Sequence, residues 1–255
     1  MILPNFLLVG AEKAGTTSLS ATLGQHADVF MSEPKELRFF SYHNWDQGVD
    51  WYAEHFAAAS GFRAVGEASP TYTKAPRDPE IPRRIRETLG DIRYLYVVRD
   101  PLTRLLSNYQ HALLHKWFPP STPLEEALER TELLLSPSLY YFQLSRFLEF
   151  TGADQWHIVA LEDLVARPAE TLDQVFRFLG VSPSPDIRLT HDNATIDQQI
   201  LPDAVTRLRG MGSLLPDGIR NRARLVVTRL SGRQVPRPVI DEAHRRELLA
   251  TISPD

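Results

Sequence analysis

The chain has 255 residues, with 28 Lys+Arg against 32 Asp+Glu (a formal net charge of −4), 43% hydrophobic and 24% charged residues, and no cysteine. This fits one large globular α/β domain or two small ones, and excludes a disordered chain, a collagen and a disulfide scaffold. Zero cysteine excludes zinc–thiolate sites, Fe–S clusters and a cysteine nucleophile, and the mild acidity speaks against general nucleic-acid binding, so any anion site must be local.

The opening MILPNFLLVG has no basic leader and only a short apolar run. No stretch approaches the roughly 18 apolar residues of a membrane span. The expectation is a soluble, cytoplasmic protein with no membrane span and no nucleic-acid partner.

In chain order, Phe6–Gly10 (FLLVG) predicts a buried strand, followed by a Gly/Thr turn and a helix through Leu23. Phe62–Gly66 predicts a second strand and Pro79–Leu89 a helix. Ile92–Val98 (IRYLYVV) predicts a third strand, and Leu102–Trp117 and Ser138–Phe150 predict helices. Trp156–Leu161 (WHIVAL) predicts a fourth strand and Ala169–Leu179 a helix, stopped by Gly180. The alternation predicts βαβ units: an α/β fold with a mainly parallel sheet and helices on both faces. Ligands of such sheets bind beyond the carboxyl ends of the strands, which directs attention to the loops after Gly10, Gly66 and Val98. No repeat and no clean domain boundary is visible, so residues 1–255 are read as a single domain. The segment 181–238 is rich in Pro, Gly and Arg and fits either a solvated face or a flap closing over an anion, with Arg220 and Arg222 the candidate contacts.

Two anion sites stand out. Gly10–Leu19 reads G-A-E-K-A-G-T-T-S-L. Glycine permits close backbone approach, the helix start offers N–H groups and a positive dipole end, Lys13 adds an ammonium, and Thr16, Thr17 and Ser18 add hydroxyls. Ala14 and Gly15 complete the cradle. An ordinary βα turn with a surface lysine remains the plain alternative. Val97–Tyr109 reads V-V-R-D-P-L-T-R-L-L-S-N-Y. Arg99 ends the strand, where a guanidinium grips phosphate in bidentate fashion. Asp100-Pro101 is a helix entry with Asp as N-cap and Pro at the first helical position. Ser107 lies two turns on. Two anion sites on neighbouring βα loops suit a nucleotide with phosphates at both ends of its ribose. A P-loop kinase requires the lysine directly before Ser/Thr and a Mg²⁺-binding acid, for which Asp100 is the only substitute. A non-catalytic nucleotide-binding module is the other alternative, and it needs no base.

These motifs resemble the sulfotransferases that use 3′-phosphoadenosine 5′-phosphosulfate (PAPS), in particular the heparan-sulfate-type branch and its bacterial relatives. K-A-G-T-T-S-L (Lys13–Leu19) is similar to the family's 5′-phosphosulfate loop, and V-V-R-D-P-x-x-R-x-x-S-x-Y to its 3′-phosphate motif. P-K-E-L-R-F-F (Pro34–Phe40) is similar to K-E-x-x-F-F, G-V-D-W-Y (Gly48–Tyr52) and G-E-A-S-P-T-Y (Gly66–Tyr72) to further family stretches, and L-E-D-L…R-P (Leu161–Pro168) to its last strand-and-turn signature. Ala68 and Arg38 stand where relatives often have lysine and histidine. The cysteine-tied loop of the animal enzymes has no counterpart.

The resemblance implies a P-loop-like sulfotransferase fold and transfer of a sulfuryl group from PAPS to a hydroxyl or amine of a small-molecule, glycolipid or carbohydrate acceptor, releasing PAP without a metal. It implies Lys13 against the leaving phosphate, Arg99 and Ser107 on the 3′-phosphate, and Glu36 as general base. Glu67 is the second carboxylate candidate, placed either as base or to orient Lys13. His111, one helical turn beyond Ser107, is either a further acid/base group or a plain polar helix residue. Aromatics at Phe39, Phe40, Tyr42, Trp45, Trp51, Tyr52, Trp117 and Phe118 serve either core packing or acceptor stacking.

Overall fold

A computed structural model describes residues 1–190, 199–200, 233–234, 240 and 242–252. Five parallel strands form the sheet: β1 (Phe6–Gly10), β2 (Val29–Met31), β3 (Ala64–Ala68), β4 (Arg93–Val98) and β5 (Trp156–Ala160), in the order β2-β3-β1-β4-β5. Every residue of β1 and β3 is buried. Parallel strands covered on both faces are apolar throughout, which is why β1 reads as an unbroken hydrophobic run.

The helices are α1 (Thr16–Leu23), α2 (Gly48–Glu54), α3 (Ile81–Leu89), α4 (Pro101–Leu114), α5 (Leu124–Arg130), α6 (Tyr140–Leu148), α7 (Leu161–Ala166), α8 (Pro168–Leu179) and α9 (Glu242–Ile252). Neighbouring residues of a strand point to opposite faces. Trp156 packs on Phe147 of α6 with centroids 5.3 Å apart, while His157 stacks on Phe178 of α8 at 5.2 Å. Helices therefore flank both faces. β1 pairs with β3 on one side and β4 on the other. The strand order reverses there, and the crevice of a parallel sheet opens beyond such a strand's carboxyl end.

Several boundaries differ from the sequence reading. The second strand starts at Ala64, not Phe62, because Gly61 turns the chain at φ 91° and the Arg63 and Ala64 amides both bond to the Asp28 carbonyl. It continues through Glu67, a polar residue inside a buried strand. Leu161 opens α7 instead of ending β5. The segment Ser136–Ser138 forms its own 3₁₀ turn, so α6 starts at Tyr140. β2, α2, α5, α7 and α9 have no counterpart in the periodicity. α9 packs Leu248 and Leu249 against the cluster built on Leu102 and Leu105 of α4. Within the proposed flap, 181–190 packs back on α1: Gln25 donates to the Arg188 carbonyl at 3.1 Å, and the Thr190 amide donates to Thr22 Oγ1 at 3.0 Å. Most of the rest, including Arg220 and Arg222, lies outside the described residues.

Candidate active site

The loop leaving β1 turns sharply. Lys13 has φ 66° and Gly15 φ 96°. The positive φ of Gly15 favours glycine, and a Cβ there would stand 2.7 Å from Leu161 Cδ1, so the leucine tip would have to shift. Ala14 is buried and its amide bonds back to the Ala11 carbonyl at 3.1 Å. Thr16, Thr17 and Ser18 occupy the first turn of α1, whose leading N–H groups have no partner within the helix. The geometry is that of an anion cradle with Lys13 at its lip.

Arg99 reaches this loop from β4, with Nη1 3.5 Å from the Lys13 carbonyl. Its backbone is held on both sides by Tyr140, whose hydroxyl donates to the Arg99 carbonyl at 2.8 Å and accepts from its amide at 3.2 Å. Asp100 caps α4 by accepting from the Thr103 amide at 2.8 Å, with Pro101 at the first position. The acid named for the kinase alternative is thus a helix cap. Arg104, Ser107 and His111 follow at spacings of three and four, one face of α4. Arg104 donates to the Glu12 carbonyl at 3.4 Å, so this face meets the loop. Arg104 has no solvent exposure; it also donates to Ser138 Oγ at 2.5 Å and to the Leu134 carbonyl. Burial pushes its pKa down to about 10.

Glu36 stands beside the loop, both oxygens engaged. Lys35 Nζ lies 3.1 Å from Oε1, and Arg38 donates to Oε2 at 2.6 Å. Lys35 also lies 3.2 Å from Thr17 Oγ1. Burial opposes ionisation of Glu36, but the Arg38 hydrogen bond and the Lys35 charge outweigh it and hold its pKa below the ordinary value. Lys13 is pushed below the usual lysine range, chiefly by burial and secondarily by Arg99 and Lys35, against Glu12 and Glu36. Glu67 points inward. It is fully buried and bonded to Tyr52, Ser69 and Tyr72, so it does not orient Lys13.

Beside Glu36 opens a cleft of about 400 Å³, lined among others by Glu12, Arg38, Lys74, His111 and Trp117. Glu12 pairs with Lys74 at 2.7 Å, and this pairing, with the Arg104 charge, holds the Glu12 pKa below its ordinary value against burial. Burial first, then Lys13, pushes His111 down to about 4, leaving a neutral imidazole at pH 7. Of the aromatic residues named from sequence, Phe39, Phe40 and Tyr52 are core, whereas Tyr42 and Trp117 are exposed and line the cleft. The sequence reading missed Glu12, Lys74 and Tyr140, because nothing local links residues 12 and 74 or 99 and 140. Among the described residues no cluster of His, Asp or Glu is arranged to hold a metal ion, and no helix is long and apolar enough to cross a membrane.

Comparison with known proteins places this chain in a family. A model of the sulfotransferase domain matches residues 3–199. The human bifunctional heparan sulfate N-deacetylase/N-sulfotransferase 1 is 31% identical over 207 residues, covering 73% of this chain and 23% of that protein. The mouse enzyme numbered 4 is 28% identical over 71% of this chain and 23% of its own. The chain thus spans under a quarter of the length of these relatives. A solved sulfotransferase from Alicyclobacillus acidocaldarius is 26% identical with a TM-score of 0.66, covering 84% of this chain and 92% of that one. The sulfotransferase domain of the curacin biosynthetic pathway shares the fold, with a TM-score of 0.57 at 19% identity over 78% of this chain and 82% of that one. With its family match extending over more than half its length, this chain belongs to the sulfotransferase-domain family.

Proposed function

We propose that this protein transfers a sulfuryl group from PAPS to a hydroxyl or amine of a small-molecule, glycolipid or carbohydrate acceptor and releases PAP. The carrying observation is the 3.5 Å approach of the Arg99 guanidinium to the Lys13 carbonyl. It brings the Lys13 and Arg99 loops, 86 residues apart, together and supports the reading that one nucleotide with phosphates at both ends of its ribose spans both. Loop, arginine and hydroxyls form a donor set suited to phosphate and sulfate oxygens.

The donor supplies an activated sulfuryl group. Lys13 and the N–H groups of Gly15–Ser18 stabilise charge on the leaving phosphate and the sulfuryl oxygens. Arg99 and Ser107 hold the 3′-phosphate. Glu36 takes the acceptor's proton as the new bond to sulfur forms and the sulfur–oxygen bond to the 5′-phosphate breaks, its electron pair leaving with PAP. A carboxylate offers about four lone-pair positions, so contacts with Lys35 and Arg38 leave it able to accept. The cleft beside Glu36 is the acceptor site, with Tyr42 and Trp117 as stacking surfaces and neutral His111 as a further proton-accepting group. The heparan sulfate N-sulfotransferase relatives support an amine of a carbohydrate.

The test is PAP calorimetry and an acceptor screen with ³⁵S-labelled PAPS, run on wild type and Glu36→Gln. The expected result is unchanged PAP affinity with lost transfer in the variant. No PAP uptake by the wild type, or wild-type transfer by Glu36→Gln, overturns the assignment or the base.

A further inference from the structure

The roles above leave Lys35 without a part. Its side chain is about three-quarters buried, at 25% exposure, and its ammonium lies 3.2 Å from Thr17 Oγ1 and 3.1 Å from Glu36 Oε1. Thr17 belongs to the donor cradle and Glu36 to the acceptor cleft. One side chain therefore touches both halves of the site.

The backbone is bent to make this happen. In an extended segment, neighbouring side chains point to opposite sides. Glu36 and Arg38 instead adopt φ 65° and 52°, left-handed conformations that residues bearing a side chain rarely take. The Glu36 amide bonds to the Ala68 carbonyl at 3.1 Å, and the Arg38 amide to Ser69 Oγ at 3.0 Å, fixing the bend. The result is that Lys35 and Arg38 both converge on one carboxylate.

We infer that Lys35 is a positioning residue of the transfer reaction, which ties the donor cradle to the base and couples donor occupancy to base strength. This rests on the reading of Glu36 as the base. In the free protein the ammonium is shared between Thr17 and Glu36. Sulfuryl oxygens arriving at the cradle compete for the same ammonium. As it is drawn toward them, less of its charge rests on Oε1, and the carboxylate becomes the stronger base when there is something to attack.

The experiment compares wild type, Lys35→Met, Lys35→Arg and Glu36→Gln. The Glu36 carboxyl is titrated by NMR in ¹³C-glutamate-labelled protein, its resonance assigned by its loss in Glu36→Gln. Donor affinity is measured with PAP, and transfer with ³⁵S-labelled PAPS. Lys35→Met removes a cation that favours the ionised carboxyl, so the titration midpoint rises by about one pH unit. Turnover falls about 100-fold, while PAP affinity changes less than about threefold and the thermal midpoint stays within a few degrees. Lys35→Arg restores the midpoint and part of the turnover. An unmoved midpoint in Lys35→Met, or a turnover loss matched by lost PAP affinity, overturns the inference and leaves the base reading standing. Wild-type transfer by Glu36→Gln overturns the base reading itself.

Discussion

Tyr52 donates a 2.6 Å hydrogen bond to Oε2 of Glu67, and neither residue is exposed to solvent. Tyr72 donates to the same carboxyl at 2.9 Å and 3.1 Å, and Ser69 donates to Oε1. Ser69 Oγ in turn accepts the Arg38 amide, and the Tyr72 hydroxyl accepts the Phe40 amide at 3.4 Å. Glu67 thus anchors a buried network that supports the bent segment carrying Glu36. A buried polar network of this kind rigidifies its surroundings when every member is satisfied.

Burial holds the Glu67 carboxyl above its ordinary value of 4.5, against the hydrogen bonds from Ser69, Tyr52 and Tyr72. A raised folded-state pKa means that the folded chain binds more protons than the unfolded one in the window above 4.5. Its contribution is therefore complete below 4.5 and is lost as pH rises through the folded value. Glu67→Gln lacks this term. The expected result is that the melting temperature of Glu67→Gln, relative to wild type, is higher at pH 8 than at pH 5. Glu12 and Glu36, whose lowered values give the opposite slope, are common to both proteins and cancel to first order. Thermal melts at the two pH values decide it, and a constant difference refutes the account.

Arg104 makes a second structural prediction. Its fork joins the Glu12 carbonyl, Ser138 and the Leu134 carbonyl without solvent. Arg104→Met leaves the Glu12 and Leu134 carbonyls without this donor, at about 1–3 kcal/mol for each that water cannot reach, while Ser138 keeps its bond to the Pro101 carbonyl. A total loss of about 2–5 kcal/mol is expected in denaturant unfolding. Arg104→Lys recovers little, because an ammonium cannot reproduce the planar fork. A loss below about 1 kcal/mol for Arg104→Met is incompatible with this picture.

The contrast between Arg99 and Glu67 shows what local sequence can carry. The turn glycine, the hydroxyls opening α1, and the Asp-Pro cap of α4 are short-range signals with short-range causes. They announce the Lys13 and Arg99 loops directly. A carboxylate at the end of a strand reads the same whether it faces a crevice or the core. What turns Glu67 inward is Tyr52 and Tyr72, brought by α2 and the 3₁₀ turn at Pro70–Thr73. The Glu12–Lys74 pair is silent for the same reason, and β2, at three residues, is too short for any periodicity. The end of β3 at Ala68, not Gly66, follows from Glu67 itself, since a polar residue inside a strand looks like its end.

The pH dependence of turnover tests the lowered values of Glu36 and His111 together, and His111→Ala distinguishes the two as base. Glu36 lies below its ordinary 4.5 because Arg38 and Lys35 outweigh burial, and His111 is pushed down to about 4, first by burial and then by Lys13. Both groups are in their proton-accepting forms throughout the neutral range. The acidic limb of kcat/KM, which reports the free enzyme, is expected below about pH 5, with no break near the ordinary histidine value of about 6.5. A limb at 6–7 that disappears in His111→Ala transfers the base role to the imidazole.

Arg99 and Lys13 are expected to separate by ligand. Arg99 is read as holding the 3′-phosphate and Lys13 the 5′ end. Hydrogen bonds to charged groups contribute about 1.5–3 kcal/mol each, so Arg99→Ala weakens PAP binding by about 10–100-fold. Adenosine 5′-phosphate has no 3′-phosphate, and its affinity for Arg99→Ala stays within about threefold of wild type. Lys13→Ala weakens both nucleotides. The guanidinium also touches the Lys13 carbonyl, so a purely structural arginine would affect both nucleotides equally when removed. Calorimetry with the two nucleotides on the two variants resolves this: equal losses of PAP and adenosine 5′-phosphate in Arg99→Ala would remove the arginine from the 3′-phosphate and leave it as a brace for the lysine loop.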